Sequence, residues 1–196
     1  DAPDFGVYKI KVGTADDRKI IEGIRAVTDK PLRTDANEGW KTKEEALEMI
    51  NWMAGQGVEL VEQPLPAAQL EDQAWLMERA KIPIFGDECL IRPFDLPRIA
   101  PYFHGVNIKV MKCGGVQEAV RLAGMARALG LKLMIGCMIE TSLGISAGAA
   151  VAQLFDYADL DGNILISNDP FEGVKTIKDR LVLNDKPGLG VVGDLF

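Results

Sequence analysis

Tyr8-Lys9-Ile10-Lys11-Val12-Gly13 sets two lysines in alternation with apolar residues just ahead of a glycine. Successive side chains of a strand point to opposite faces, so Lys9 and Lys11 project to one side and Ile10 and Val12 to the other. A strand with apolar neighbours has no structural reason to hold two ammonium groups side by side, where each disfavours the other's proton. Taken alone, the hexapeptide also fits a solvated edge strand that carries lysine against aggregation. The rest of the chain decides between these readings.

Apolar, β-branched-rich runs recur over 7–12, 31–34, 58–61, 82–85, 106–110, 131–135 and, less regularly, 157–161. Helical patterns lie between them. Thr14 and Asp17 open one that runs to about residue 27. Thr42-Lys43-Glu44-Glu45 predicts a capping box for the next, with Gly55 or Gly57 as its stop. Further helices are predicted over 70–80, 116–129 and 143–154, with a proline-interrupted segment at 95–99. Strand and helix alternating at a period of roughly 22–30 residues is the pattern of parallel βα units. Continuously apolar strands fit a sheet covered on both faces.

Seven such units predict an α/β fold: a TIM-type (β/α) eight-stranded barrel without its first strand. An open doubly wound sheet stands as the alternative. Its nucleotide-binding forms lose their main support, because no GxGxxG or GxxxxGK[ST] follows the first strand. From Pro170 the pattern changes: 174–177, 181–183 and Pro187-Gly188-Leu189-Gly190 predict a hairpin and a trailing tail. Residues 1–169 are therefore read as the barrel domain and 170–196 as an appendage.

At 196 residues and 47% apolar, the chain can bury one substantial core, and its net charge of −7 argues against a nucleic-acid partner. No apolar run approaches the ~18 residues of a membrane span, and no signal peptide is visible at residue 1. A cytoplasmic protein with no membrane partner is expected. Residue 1 is not methionine, which suggests a start inside a larger parent. Cys89, Cys113 and Cys137 are odd in number and evenly spaced, so they report the βα repeat rather than a disulfide framework. A homo-oligomer is left open.

In βα barrels the site is built where strands end. Here a charged residue falls at one strand after another. Lys9 and Lys11 lie on the first run. Asp35 closes Leu32-Arg33-Thr34-Asp35, Glu62 closes Val58-Glu59-Leu60-Val61-Glu62, Asp87 closes Ile84-Phe85-Gly86-Asp87, and Lys109 sits in Asn107-Ile108-Lys109-Val110. One such residue is usually a cap or a loop anchor; five in register are hard to explain that way. In an eight-stranded ring Lys11 and Lys109, four strands apart, would face each other, with the three carboxylates on the arc between.

Three converging carboxylates without a cation repel one another. An all-oxygen set selects a hard cation, Mg²⁺ before others, and the absence of His or Cys on the arc argues against zinc. Two lysines flanking such a cation suit proton abstraction next to a carboxylate, with the metal stabilising the enediolate. One lysine removes the proton from one face and the other returns it to the opposite face, a 1,1-proton transfer. A lyase with its own leaving group is not ruled out by this arrangement.

Together, Lys9-Ile10-Lys11, Asp35-Ala36-Asn37, Val61-Glu62-Gln63-Pro64, Asp87-Glu88 and Asn107-Ile108-Lys109 with Gly114-Gly115 resemble the enolase superfamily, in particular its muconate-lactonizing subgroup. The resemblance implies Lys11 and Lys109 as the acid/base couple and Asp35, Glu62 and Asp87 as Mg²⁺ ligands. Gly136-Cys137-Met138-Ile139-Glu140-Thr141 and Asp159-Leu160-Asp161-Gly162 are similar to the dipeptide epimerases. That similarity implies a small dipeptide substrate of the Ala-Glu type, epimerised at the α-carbon of its C-terminal residue. It implies that Asp159 and Asp161 receive the dipeptide's α-ammonium, and that Lys9, Cys137 and Ile139 line the substrate, the last two largely through backbone atoms. Asp159 and Asp161 also read as a plain turn before Gly162. A cycloisomerase, an o-succinylbenzoate synthase and an inert barrel fragment are the rival readings. The family carries an N-terminal capping domain and a first barrel strand ahead of the Lys-x-Lys strand; on this resemblance both are expected to be missing from the sequence as given, and the tail after Pro170 would pack on that cap. His104 is expected to pack, and Lys112 to be solvated. Gly114-Gly115 is read as a tight turn, and Glu88 is given no role.

Overall fold

A computed structural model describes residues 5–193; the outermost residues of the expected barrel region and tail, 1–4 and 194–196, lie outside it. The chain divides into two compact units, one of residues 5–90 with 97–106, the other of residues 91–96 with 107–193 among those described.

In the first unit β1 (Tyr8–Lys11), β2 (Leu32–Asp35), β3 (Val58–Glu62), β4 (Ile84–Gly86) and the start of β5 (Gly105–Lys109) hydrogen-bond in chain order, all parallel. Consecutive parallel neighbours need a crossover, and α1 (Asp17–Arg25), α2 (Lys43–Gly55) and α3 (Leu70–Met77) supply the first three. Helix α2 shows why: Ala46, Ile50 and Met53, spaced four and three apart, share one face and are fully buried. At ~25 cal/mol per Å², burying the Ile50 and Met53 side chains contributes about 2 kcal/mol each. Thr42 caps this helix by accepting from the Glu45 backbone N–H. The predicted box is not reciprocal, however: the Glu45 carboxylate accepts from the Lys41 N–H instead of that of Thr42.

One irregularity in register matters for the site. Between the pairs Leu32↔Val58 and Thr34↔Val61, β3 carries one more residue than β2. Because side chains alternate with period two, that extra residue reverses which face the end of β3 presents and sets Glu62 beside Asp35.

In the second unit β5 continues through Asn107–Lys109 and turns directly into α5 (Val110–Cys113), which follows the four-residue α4 (Leu96–Ile99) in chain order. The expected strand end at residue 110 is thus the first residue of a helical turn. Gly114, at φ +104°, ends that turn in the left-handed region that glycine alone enters without cost. Then follow α6 (Val116–Ala128), β6 (Lys132–Gly136), α7 (Ser142–Val151) and β7 (Tyr157–Asp159), with β6 and β7 parallel. The tail forms β8 (Phe171–Glu172), β9 (Lys175–Ile177), β10 (Arg180–Val182) and β11 (Val192–Gly193), paired antiparallel as β9–β10 and β8–β11. Val174 joins Ile135, Ile145, Val151 and Leu160 in one buried cluster, and its N–H donates to Ser146 Oγ at 2.9 Å. The tail is therefore seated on α7. No helix among the described residues is long and apolar enough to cross a membrane.

Candidate functional site

Register places the carboxylates of the first unit. Lys11 pairs with Asp35, Asp35 with Glu62, and Glu62 with Phe85, two residues before Asp87. One oxygen from each of Asp35, Glu62 and Asp87 lies within 4.8 Å of the others, and all three residues are buried. Gln63 fixes the last of them: its Oε1 accepts from the Asp87 and Cys89 N–H groups, while its Nε2 donates to the Leu65 carbonyl. Sequence reasoning quoted Gln63 only as part of a motif. The signal that could have singled it out is a long amide beside proline at the end of an apolar strand.

Burial first, and then the charges of Asp35 and Asp87, push the Glu62 carboxyl up to about 7, against the opposing pull of Lys9. Carboxylates converge here at an electrostatic cost that a cation would relieve. The donor set is all oxygen, so the residues fit a hard divalent cation of the Mg²⁺ kind.

Lys9, expected to line the substrate, has its ammonium 2.8 Å from Glu62 Oε2 and 3.3 Å from Asp35 Oδ2. Lys11 Nζ donates to Asp35 Oδ2 at 2.8 Å and to Asn37 Oδ1 at 2.7 Å. The alternation read from the hexapeptide thus brings both ammonium groups to one carboxylate. β1 does lie at the edge of its sheet, as the alternative reading had it, but its lysines are paired with buried carboxylates rather than left to solvent as guards against aggregation.

The loop after β2 needs two glycines. A Cβ on Gly13, at φ +94°, would stand 2.5 Å from the Ala36 carbonyl oxygen, and one on Gly39 would meet Gly13 itself. Asp17, read only as a helix opener, is buried and ties the same corner together. It accepts from the N–H groups of Gly13 and Thr14 and from Trp40 Nε1. His104 packs as expected: its Nδ1 accepts from the Ile84 N–H, and burial lowers its pKa.

The second unit holds the remaining candidates. Lys109 is buried as the last residue of β5. Its charge opposes the effect of burial, which raises the pKa of the Glu140 carboxyl. Glu140 Oε1 accepts from the Met138 N–H, while Oε2 is buried without a hydrogen-bond partner. Sequence reasoning gave Glu140 no role. Cys137 Sγ lies 3.9 Å from Asp161 Oδ1, and burial above all pushes its thiol up to about 11. At neutral pH it is therefore a thiol rather than a thiolate nucleophile. Ile139 is 71% exposed, so its side chain stands in solvent. Strand β7 stops at Asp159, and Asp161 precedes a 3-10 turn over Gly162–Leu165, its carbonyl accepting from the Ile164 N–H. The two carboxylates are therefore not alternate residues of one strand: Asp159 ends β7, and Asp161 stands beyond it, after Leu160 and ahead of the 3-10 turn.

Parallel βα units with three buried carboxylates converging at successive strand ends define a βα protein with a candidate cation site. The chain belongs to the enolase C-terminal domain-like family, whose model matches residues 2–195. An L-Ala-D/L-Glu epimerase from Bacteroides thetaiotaomicron is 47% identical over 188 residues, which make up 96% of this chain and 49% of that protein. An L-Ala-D/L-amino acid epimerase from Pedosphaera parvula is 48% identical, over 95% of this chain and 54% of its own length. Among solved structures, a substrate-liganded complex of the L-Ala-D/L-Glu epimerase from Bacillus subtilis matches with a TM-score of 0.90 and 36% identity. It covers 96% of this chain and 56% of that one. The chain spans about half the length of the curated relatives it matches.

Proposed function

We propose that the protein carrying this chain epimerises dipeptides of the Ala-Glu type at the α-carbon of their C-terminal residue. On this reading residues 1–169 are the catalytic part of a TIM-type barrel and residues 170–196 an extension of it. The observation that carries the proposal is the buried cluster of Asp35, Glu62 and Asp87 with Lys11 hydrogen-bonded to its edge, in a chain nearly half identical to an epimerase. Asp35, Glu62 and Asp87 would hold Mg²⁺. When bound, Mg²⁺ supplies the positive charge that stabilises an enediolate formed next to a carboxylate.

Lys11 and Lys109 are the proton-transfer residues of this reading. One, as the neutral amine, takes the α-proton and becomes an ammonium. The other, already an ammonium, delivers a proton to the opposite face and is left as the amine. The enzyme then stands ready for the reverse conversion. Asp159 and Asp161 supply negative charge for the substrate's α-ammonium. Lys9 and the backbone of Cys137 and Ile139 complete the lining.

The test is α-proton exchange in D₂O with Mg²⁺ and L-Ala-L-Glu, followed by mass spectrometry and NMR, in the full-length protein. The parent should incorporate one deuterium and accumulate the second epimer. Lys11→Ala and Lys109→Ala should each slow epimerisation by about 100-fold or more, the size of a lost general acid or base. Either variant epimerising at the parent rate would sink the two-lysine mechanism.

A further inference from the structure

The Lys11 side chain is 69% exposed, so packing does little to aim its ammonium group. Two acceptors hold it, Asp35 Oδ2 and Asn37 Oδ1. Asp35 Oδ2 is also within reach of Lys9 and belongs to the carboxylate cluster, so its charge is shared. Asn37 Oδ1 lies outside that cluster and is neutral. It can accept an N–H from lysine in either protonation state, which leaves the amine lone pair for a substrate proton.

The amide cannot turn around. Its Nδ2 donates to Glu88 Oε1 at 2.9 Å while its Oδ1 receives the Lys11 ammonium. An ammonium only donates, so the amide oxygen must face Lys11 and the amide nitrogen is left to donate to the Glu88 carboxyl oxygen. The backbone is pinned as well. Asn37 sits at φ +42° ahead of Glu38 at φ +63°, with its own N–H donating to Asp35 Oδ1 at 3.0 Å. Side chains rarely adopt that conformation, and asparagine is one of the few that tolerate it. Here it is adopted by a residue whose side-chain oxygen and nitrogen both carry a partner.

We propose that Asn37 is a positioning residue for Lys11, with its side-chain oxygen holding the Lys11 ammonium and Glu88 fixing the amide. The proposal rests on the reading of Lys11 as one of two proton-transfer residues. It makes a prediction that a merely structural role does not. In a two-base enzyme each lysine deprotonates one epimer, so loosening Lys11 must slow exchange from one epimer only.

Asn37→Gly removes the amide and keeps the left-handed backbone unstrained. Glu88→Gln keeps the shape but lets the amide turn. The full-length protein with Mg²⁺ would be given each epimer of Ala-Glu separately in D₂O, and the Lys11→Ala variant would identify the epimer that Lys11 serves. For that epimer the kcat for α-proton exchange, rather than for epimerisation, should fall about 10- to 100-fold in Asn37→Gly, as expected for a misplaced catalytic group, with less loss in Glu88→Gln. KM, exchange from the other epimer, and Mg²⁺ affinity by calorimetry should each stay within about threefold. Equal loss from both epimers, no loss, or a collapse of Mg²⁺ affinity would overturn the proposal. If Lys11→Ala itself shows no preference for one epimer, the two-lysine reading fails and takes this one with it. If Lys11→Ala is selective and Asn37→Gly is not, the Asn37 proposal alone fails.

Discussion

The Lys9 ammonium lies 2.8 Å from Glu62 Oε2, with the Lys9 side chain only 15% exposed and that of Glu62 fully withdrawn from water. Lys9 is thus an internal cation against two of the three clustered carboxylates, Glu62 and Asp35. Lys9→Met would leave the cluster without it, and removing one partner of a buried pair costs on the order of 3 kcal/mol, less whatever Glu62 recovers by taking a proton. The metal-free variant should unfold at lower temperature than the parent. Its gain in melting temperature on adding Mg²⁺ should be larger, because the cation then relieves more repulsion. Calorimetric scans at pH 8 with EDTA and with Mg²⁺ would read both effects, and an equal gain in the two proteins would contradict this role of Lys9.

A second prediction concerns pH. Glu62 has an ordinary value of 4.5 and is pushed up to about 7 in the folded chain, chiefly by burial. Between those values the native state holds a proton that the unfolded state has released, so the stability of the metal-free chain falls as pH rises through this window. Mg²⁺ binding requires the carboxylate, and its stabilising effect should grow over the same interval. Urea titrations at pH 5, 6, 7 and 8 would show the two trends running in opposite directions. Glu62→Gln should flatten both.

Much of the fold was legible because its signals were local. The seven apolar runs each overlap an observed strand, and the inner strands, buried on both faces, read as near-continuous apolar segments. Asp35, Glu62 and Asp87 came out of counting residues between strand ends, and the structure brings them within one cation's reach. What stayed hidden depends on partners far away in sequence. The extra residue in β3 looks like any other position in Val58-Glu59-Leu60-Val61, yet it sets the face of Glu62. Asn37 and Glu88 are 51 residues apart, and nothing local links them. Asp17 looked like a helix opener because it is one; its bond to Trp40 is a fact of packing. Glu45 was matched to the wrong N–H because a capping box and its near variants share one sequence pattern.

Gly162 offers a third test. A Cβ there would run into the Met138 carbonyl oxygen, with the Glu140 N–H and Cys137 Sγ close behind. Gly162 is buried, and its φ does not call for glycine, so the constraint is space rather than backbone conformation. Gly162→Ala must displace the 137–140 segment, and overpacking of this kind costs about 1–3 kcal/mol. The loss should appear in urea denaturation. On the proposed function, dipeptide affinity should fall with it, while Mg²⁺ affinity stays unchanged.

The last prediction separates a dipeptide site from a plain turn at Asp159 and Asp161. A turn needs side-chain acceptors for nearby N–H groups, which asparagine also supplies, so Asp159→Asn and Asp161→Asn would be nearly silent in a purely structural role. An ammonium-binding pair needs the charge. Charged hydrogen bonds are worth about 1.5–3 kcal/mol, so either substitution should raise KM for Ala-Glu by roughly 10- to 100-fold. The control is N-acetyl-Ala-Glu, which has no ammonium. The parent should use it poorly, and the two variants should lose little further activity on it. Variants that lose equally on both substrates would show that these aspartates act on the fold rather than on the ammonium. Variants with unchanged KM on Ala-Glu would leave the turn reading standing alone.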